Sequence, residues 1–131
     1  YYDQIVQYGY VESFAKYARM LWQSDYVIST ARQEFFGISV AEAIYCGCIP
    51  ILPDDLNYPN LVPDVYRQDS LYKLKGNALF HKLKEILNLR EKRDATLLQS
   101  HISQYDWSVM APIYDATLSS LRDRFSSNGA G

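Results

Sequence analysis

Glu34-Phe35-Phe36-Gly37-Ile38-Ser39-Val40-Ala41-Glu42-Ala43-Ile44-Tyr45-Cys46-Gly47-Cys48-Ile49-Pro50 carries two carboxylates, with seven residues between them, on either side of a glycine that starts a helix. Projected at about 100° per residue, positions 38–48 leave only Ser39 and Glu42 strongly polar, which predicts a helix that is apolar almost all round and lies in the core. Glu42 is then a carboxylate on a mostly buried helix. Desolvating an ionised group without a partner costs roughly several kcal/mol, so Glu42 calls for a donor nearby: a protein group, ordered water or the hydroxyls of a ligand.

Upstream, residues 25–29 read as a short buried strand and 30–36 as a loop that delivers the chain to Gly37. Unpaired amides at a helix start, together with the positive end of the macrodipole, suit an anion, and Gly37 admits close approach to the backbone. Phosphate recognition fits, and so does a purely structural strand-loop-helix. The Gly-Lys-Ser/Thr of a Walker loop is absent, and one glycine between strand and helix does not make a dinucleotide fingerprint.

Glu34, Phe36, Gly37, Glu42, Ala43, Gly47 and Pro50 resemble the double-Glu motif in the C-terminal, nucleotide-binding half of retaining GT-B glycosyltransferases. The upstream order is similar too: Gly9-Tyr10-Val11, a helix, then Ser24-Asp25-Tyr26-Val27. A narrower resemblance, to the tRNA-queuosine mannosyltransferase group, rests on Ser29-Thr30-Ala31-Arg32-Gln33-Glu34-Phe35-Phe36-Gly37 and on Leu56, Tyr58 and Pro59. Gln33 stands where many of that group carry His. The resemblance spans about residues 5–125.

What the resemblance implies is an α/β fold, with a Rossmann-like parallel sheet covered by helices on both faces, forming the C-terminal half of a GT-B enzyme. Glu34 would be the catalytic-site carboxylate, binding hydroxyls on the far side of the donor sugar. Phe36, Gly37 and Ile38 would contact the sugar and phosphates through their amides, and Glu42 would bind the ribose. Gly9, Tyr10 and Val11 would edge the nucleobase. No cofactor and no metal is implied. The donor would be GDP-mannose and the acceptor queuosine in tRNA. Another nucleotide sugar with a glycan or lipid acceptor accounts for Glu34 and Glu42 equally well. A non-catalytic nucleotide-binding or receiver-like module is the third reading; a receiver needs an acidic cluster ending its first strand, where residues 1–9 offer Asp3 alone.

With 131 residues, 48% of them hydrophobic, the chain has the material for one domain with a real core, here expected over 1–125 with a flexible tail at 126–131. Tyr1 in place of Met suggests a fragment, separated from its N-terminal domain and from the basic residues that hold the donor diphosphate, and so inactive alone. No apolar run approaches the roughly 18 residues of a membrane span and no secretory signal is evident, which points to a cytoplasmic protein. Cys46 and Cys48 read as reduced core residues. A net charge of −2 predicts no general affinity for nucleic acid. Lys73, Lys75, Lys82, Lys84, Arg90, Lys92 and Arg93 form a basic stretch that faces either tRNA or, in the blander reading that Glu85, Glu91 and Asp94 favour, only solvent.

The remaining pattern predicts a strand at 5–8, an amphipathic helix at 12–23 with Phe14, Tyr17, Ala18, Leu21 and Trp22 on one stripe, and a strand at 48–52. A loop at 54–63 and helices at 75–89, 90–104 and 108–124 follow, the last capped by Asp106. His81 and His101 sit alone on separate helices and read as structural, and Asp54-Asp55 lacks the spacing of a metal-binding Asp-x-Asp.

Overall fold

Ile49, Pro50, Ile51, Leu52 and Pro53 are all buried, and they form the central strand of the sheet. The computed structural model describes residues 2–88 and 94–128, the side chains of 121–128 excepted. Its elements are α1 (Phe14–Trp22), β1 (Tyr26–Ile28), α2 (Ile38–Tyr45), β2 (Ile49–Pro53), α3 (Tyr58–Leu61), α4 (Asp64–Ser70), β3 (Leu71–Tyr72), α5 (Ala78–Asn88), α6 (Thr96–Ser103) and α7 (Trp107–Asn128), after one 3-10 turn at Tyr2–Gln4. The strands run parallel in the order β1-β2-β3, giving the Rossmann-like α/β arrangement that the sequence implied.

Two prolines in a central strand need an explanation, because neither can donate to the ladder. Ile49 donates to Asp25 O and Ile51 O accepts from Ser29 N, so those two residues face β1. By alternation Pro50 faces the β3 side, where pairing begins only at Leu52↔Leu71. Pro53 faces the β1 side, where pairing has ended at Ile28↔Ile51. Each proline therefore stands where no neighbour asks for its N–H.

The core lies on both faces of β2. On one side Ile49 and Leu52 pack with Val40, Ala41 and Ile44 of α2, Tyr58 and Leu61 of α3, and Leu98 and Ile102 of α6. On the other, Ile51 packs with Tyr72 of β3 and Ile86 of α5. Gly47, at φ +98°, ends α2: its N–H donates to Ile44 O and that of Cys48 to Ala43 O, the paired bonds of a Schellman cap. That tight turn sends the chain straight into β2.

Four expectations are corrected. Residues 5–8 form no strand; Ile5, Val6 (94% exposed) and Tyr8 lie open, and an alternating run becomes a strand only beside a partner that accepts its ladder. The loop at 54–63 contains α3, nucleated at Asn57 with Pro59 in its first turn. α2 is not buried all round: Ile38 is 64% exposed, Tyr45 57%, and Glu42 shares their open side. The helix expected at 90–104 is α6, which begins only at Thr96 with 94 and 95 outside it.

Elsewhere the boundaries shift little. Ser13 caps α1, its side chain accepting from Lys16 N at 3.3 Å. Asp106 precedes α7 as expected, accepting from Ser108 N at 2.8 Å and held below the usual carboxylate range by its bonds to the Ser108 side chain and backbone. α7 runs on to Asn128, three residues past the expected domain end at 125, and the last residues of the expected tail, 129–131, lie outside the described residues. Arg90, Lys92 and Arg93 of the basic stretch, and Glu91, also lie outside them. Among the described residues, no helix is long and apolar enough to cross a membrane.

Candidate functional site

The exposed side of α2 and the stripe of α1 face each other across a groove of about 560 Å3. Phe14, Tyr17, Ala18, Leu21 and Trp22 come from α1; Ile38, Ala41, Glu42 and Tyr45 come from α2. Phe36, Ile102 and Tyr105 close the far end, with the Phe36 ring set edge-on to Tyr105 at 5.2 Å between centroids. Apolar residues left open here are not misplaced core. They wall a groove with a few polar groups in it, the usual composition of a ligand cleft.

Glu42 is one of those polar groups. Its Oε2 accepts from the Tyr17 hydroxyl at 3.0 Å, so the donor that the sequence called for is a tyrosine 25 residues upstream. Burial comes first, then this bond and the charge of Glu42, in pushing the Tyr17 hydroxyl up to about 12. Cys46, one turn along from Glu42, is likewise raised by burial and by the same charge. Cys48 is pushed up to about 11, chiefly by burial, and its thiol donates to Leu21 O and Ser24 O. Both cysteines are free thiols.

A second cavity, of about 440 Å3, is lined by Gly9, Tyr10, Val11 and Glu12 together with Phe14 and Tyr17. Those last two residues line the first groove as well, so the two spaces adjoin. Glu42, Phe36 and Ile38 thus line the groove, and Gly9, Tyr10 and Val11 line the second cavity. Glu34 and Gly37 line neither. Glu34 Oε1 accepts from Phe35 N at 3.0 Å and lies outside the lining of the groove.

Gly37 has a different reason to be glycine from the one the sequence suggested. It is buried at φ +84° as the N-cap of α2, and a Cβ there would come within 3.1 Å of Leu61 Cδ1 and 3.2 Å of Tyr58 Cε1. The close approach is made by the chain's own α3, not left open for a ligand. No side chain caps this helix end, so its first amides keep their outward character.

The two short stretches that carried the narrower resemblance meet in space. Ser29 Oγ and the Tyr58 hydroxyl lie 2.7 Å apart, Ser29 Oγ also accepts from Ala31 N, and the Tyr72 hydroxyl donates to Ser29 O. Asn57 Nδ2 donates to Phe36 O at 3.1 Å. The segment 56–59 therefore braces the loop 29–37 from beneath. His101 bonds Asn60 O and His81 packs against Phe80, and neither lines the groove, in keeping with structural roles.

Comparison with known proteins adds kinship to this geometry. Over 116 residues, 86% of the chain, the sequence is 34% identical to tRNA-queuosine alpha-mannosyltransferase of Drosophila melanogaster. The chain is a homologue of a glycosyltransferase. It spans about 29% of that relative's length. No protein-family model matches it, and no solved structure does. Tyr17 is the site residue that sequence reasoning missed. Its signal was faint: a residue with a polar tip in the middle of an otherwise apolar stripe.

Proposed function

We propose that this chain is the donor-nucleotide-binding half of a retaining GT-B mannosyltransferase that transfers mannose from GDP-mannose to queuosine in tRNA, in the cytoplasm. The observation that carries the reading is the junction of the two cavities: a carboxylate on α2 borders one, the Gly9–Val11 turn lines the other, and Tyr17 and Phe14 stand between. A nucleoside needs that arrangement, with ribose hydroxyls and base at adjoining positions. Kinship to an enzyme named for queuosine mannosylation supports the choice of donor and acceptor.

In this reading Glu42 accepts charge-assisted hydrogen bonds from the ribose hydroxyls, while Gly9, Tyr10 and Val11 edge the base through their backbone groups. The uncapped start of α2, at Phe36, Gly37 and Ile38, offers amides and the positive end of the helix dipole to the departing diphosphate. Glu34 exchanges its bond to Phe35 N for hydroxyls of the transferred sugar. Catalysis comes mainly from positioning, with the leaving phosphate helping to take the acceptor proton. The groove's lining holds no Lys or Arg among the described residues, so the cations that offset the diphosphate charge would belong to an N-terminal domain that completes the cleft. The described lysines of the basic stretch fit the solvated reading better: Lys82 is engaged by Gln68 O at 2.7 Å and by Glu85.

Two measurements test the proposal. Mass spectrometry of tRNA nucleosides from cells lacking the gene should show queuosine without its mannose; unchanged mannosyl-queuosine would end the acceptor assignment. Calorimetric titration with GDP-mannose, UDP-glucose and ADP-glucose should favour the first, and a preference for either of the others would redirect the donor.

A further inference from the structure

Tyr17 is a polar group of the groove that the double-Glu motif leaves without a part, and it is the one bonded to Glu42. Its hydroxyl donates to Glu42 Oε2 at 3.0 Å, while its ring walls both the groove and the Gly9–Val11 cavity. Among the described residues no side chain bonds the other oxygen, Oε1. A carboxylate on an exposed helix side ordinarily samples several rotamers, and ordering it on binding costs affinity. Held by Tyr17, it is already ordered, with one oxygen occupied and one available.

We propose that Tyr17 is a positioning residue for the donor nucleotide: it fixes the Glu42 carboxylate so that Oε1 meets the ribose, and it presents its ring at the passage between ribose and base. The inference rests on the reading of Glu42 as the ribose-binding carboxylate. A tyrosine oxygen that donates its proton to Glu42 still has lone pairs, so it can accept from a second hydroxyl or from an N–H of the ligand. The ligand donor, the tyrosine and the carboxylate then form one chain of hydrogen bonds, each polarising the next. With its pKa pushed up to about 12, the hydroxyl stays protonated, and stays a donor to Glu42, throughout the neutral range.

A purely structural tyrosine would do less: it would pin α1 to α2 and nothing more. Tyr17→Phe separates the two roles, because it keeps the ring and removes only the hydroxyl. In the intact protein, with GDP as the probe, its Kd should rise about three- to tenfold, the range expected when one side chain that was held in place must be ordered on binding. Donor KM should rise with kcat held, and thermal unfolding should stay close to that of the native protein, since an exposed carboxylate that loses Tyr17 is rehydrated. Tyr17→Phe should weaken GDP binding less in a Glu42→Gln background than in the native one, because the hydroxyl acts in part through the carboxylate. If Glu42→Gln weakens binding and Tyr17→Phe leaves Kd untouched, or lowers thermal stability without affecting Kd, the positioning role is overturned and the ribose reading stands. If Glu42→Gln also leaves Kd untouched, the ribose reading itself is wrong and this inference goes with it.

Discussion

Ile44 and Ile38 carry the same side chain on the same short helix and end in opposite environments, the first 0% exposed against β2 and α6, the second 64% exposed at the mouth of the groove. Nothing in their hydrophobicity separates them. The difference is in what stands opposite: β2, α3 and α6 cover one side of α2, while the other looks across a gap at α1. An apolar surface with no cover is a cost in a monomer and an asset in a ligand site. Burial on the closed side of α2 follows from the elements packed on it, while the open side stays apolar with only the groove in front of it, which the proposed function fills with a ligand.

The largest expected effect tests that contrast directly. Ile44→Ala should lower the unfolding free energy by about 2–5 kcal/mol, through lost transfer energy and the cavity left behind. Ile38→Ala, on the open side, should change it by less than about 0.5 kcal/mol. Chemical denaturation of both variants is the check. Equal losses would mean that the Ile38 side is covered in solution and the comparison fails.

How far this contrast was legible in the sequence follows from range. β1, α2 and β2 are written locally, in an apolar run, a glycine start and a second apolar run, and each boundary was placed to within three residues, the largest miss being the end of α2 at Tyr45. β3 was not legible, because two residues, Leu71 and Tyr72, make no period; only Leu52 and Pro53 alongside define them as a strand. The supposed strand at 5–8 had the period and lacked the partner. Of the residues singled out by motif, Glu42 lines the groove, Gly9, Tyr10 and Val11 line the adjoining cavity and Glu34 lines neither, whereas Tyr17 was fixed by a contact 25 residues away that no local pattern encodes. The openness of Ile38 and Tyr45 was missed for the same reason: periodicity says which residues share a side, and only the tertiary fold says whether that side is covered.

Gly37 joins the two sides of α2, and its replacement comes next in size. Gly37→Ala forces an L-residue to φ +84° and sets a Cβ against Leu61 and Tyr58 on the closed side. The expected loss is on the order of 1–3 kcal/mol. Nucleotide affinity in the protein that remains folded should hold, since Glu42 is a turn further on. A stable Gly37→Ala variant that no longer binds nucleotide would reverse the assignment and give the glycine to the ligand.

The two glutamates sharpen the comparison further, because one lines the groove and the other does not. Glu42→Gln should weaken GDP binding about tenfold, with stability unchanged, as two charge-assisted contacts become neutral ones. Glu34→Ala should reduce turnover and leave GDP affinity in place, since its proposed partner is the sugar being transferred. Calorimetry with GDP alongside a mannosyl-transfer assay distinguishes them. Loss of GDP binding in Glu34→Ala would show that the carboxylate reaches the nucleotide after all.

The smallest effect is expected beneath the loop, at the hydroxyl pair of Tyr58 and Ser29. Tyr58 is 1% exposed, its ring packs under Gly37, and its hydroxyl lies 2.7 Å from Ser29 Oγ, which keeps its bond from Ala31 N if that contact is lost. Tyr58→Phe preserves the packing and removes one buried hydrogen bond, so the protein should lose about 0.5–1.5 kcal/mol in urea unfolding. The loop that carries Glu34 then loses one of its braces, while Asn57 at Phe36 O, Tyr72 at Ser29 O and the packing of Ala31 and Phe36 on the core remain. Turnover should fall modestly for that reason, while GDP affinity, which the proposal assigns to Glu42, should not move. A variant with native turnover would confine the Tyr58 hydroxyl to stability, and one with weakened GDP binding would show that the closed and open sides of α2 are coupled.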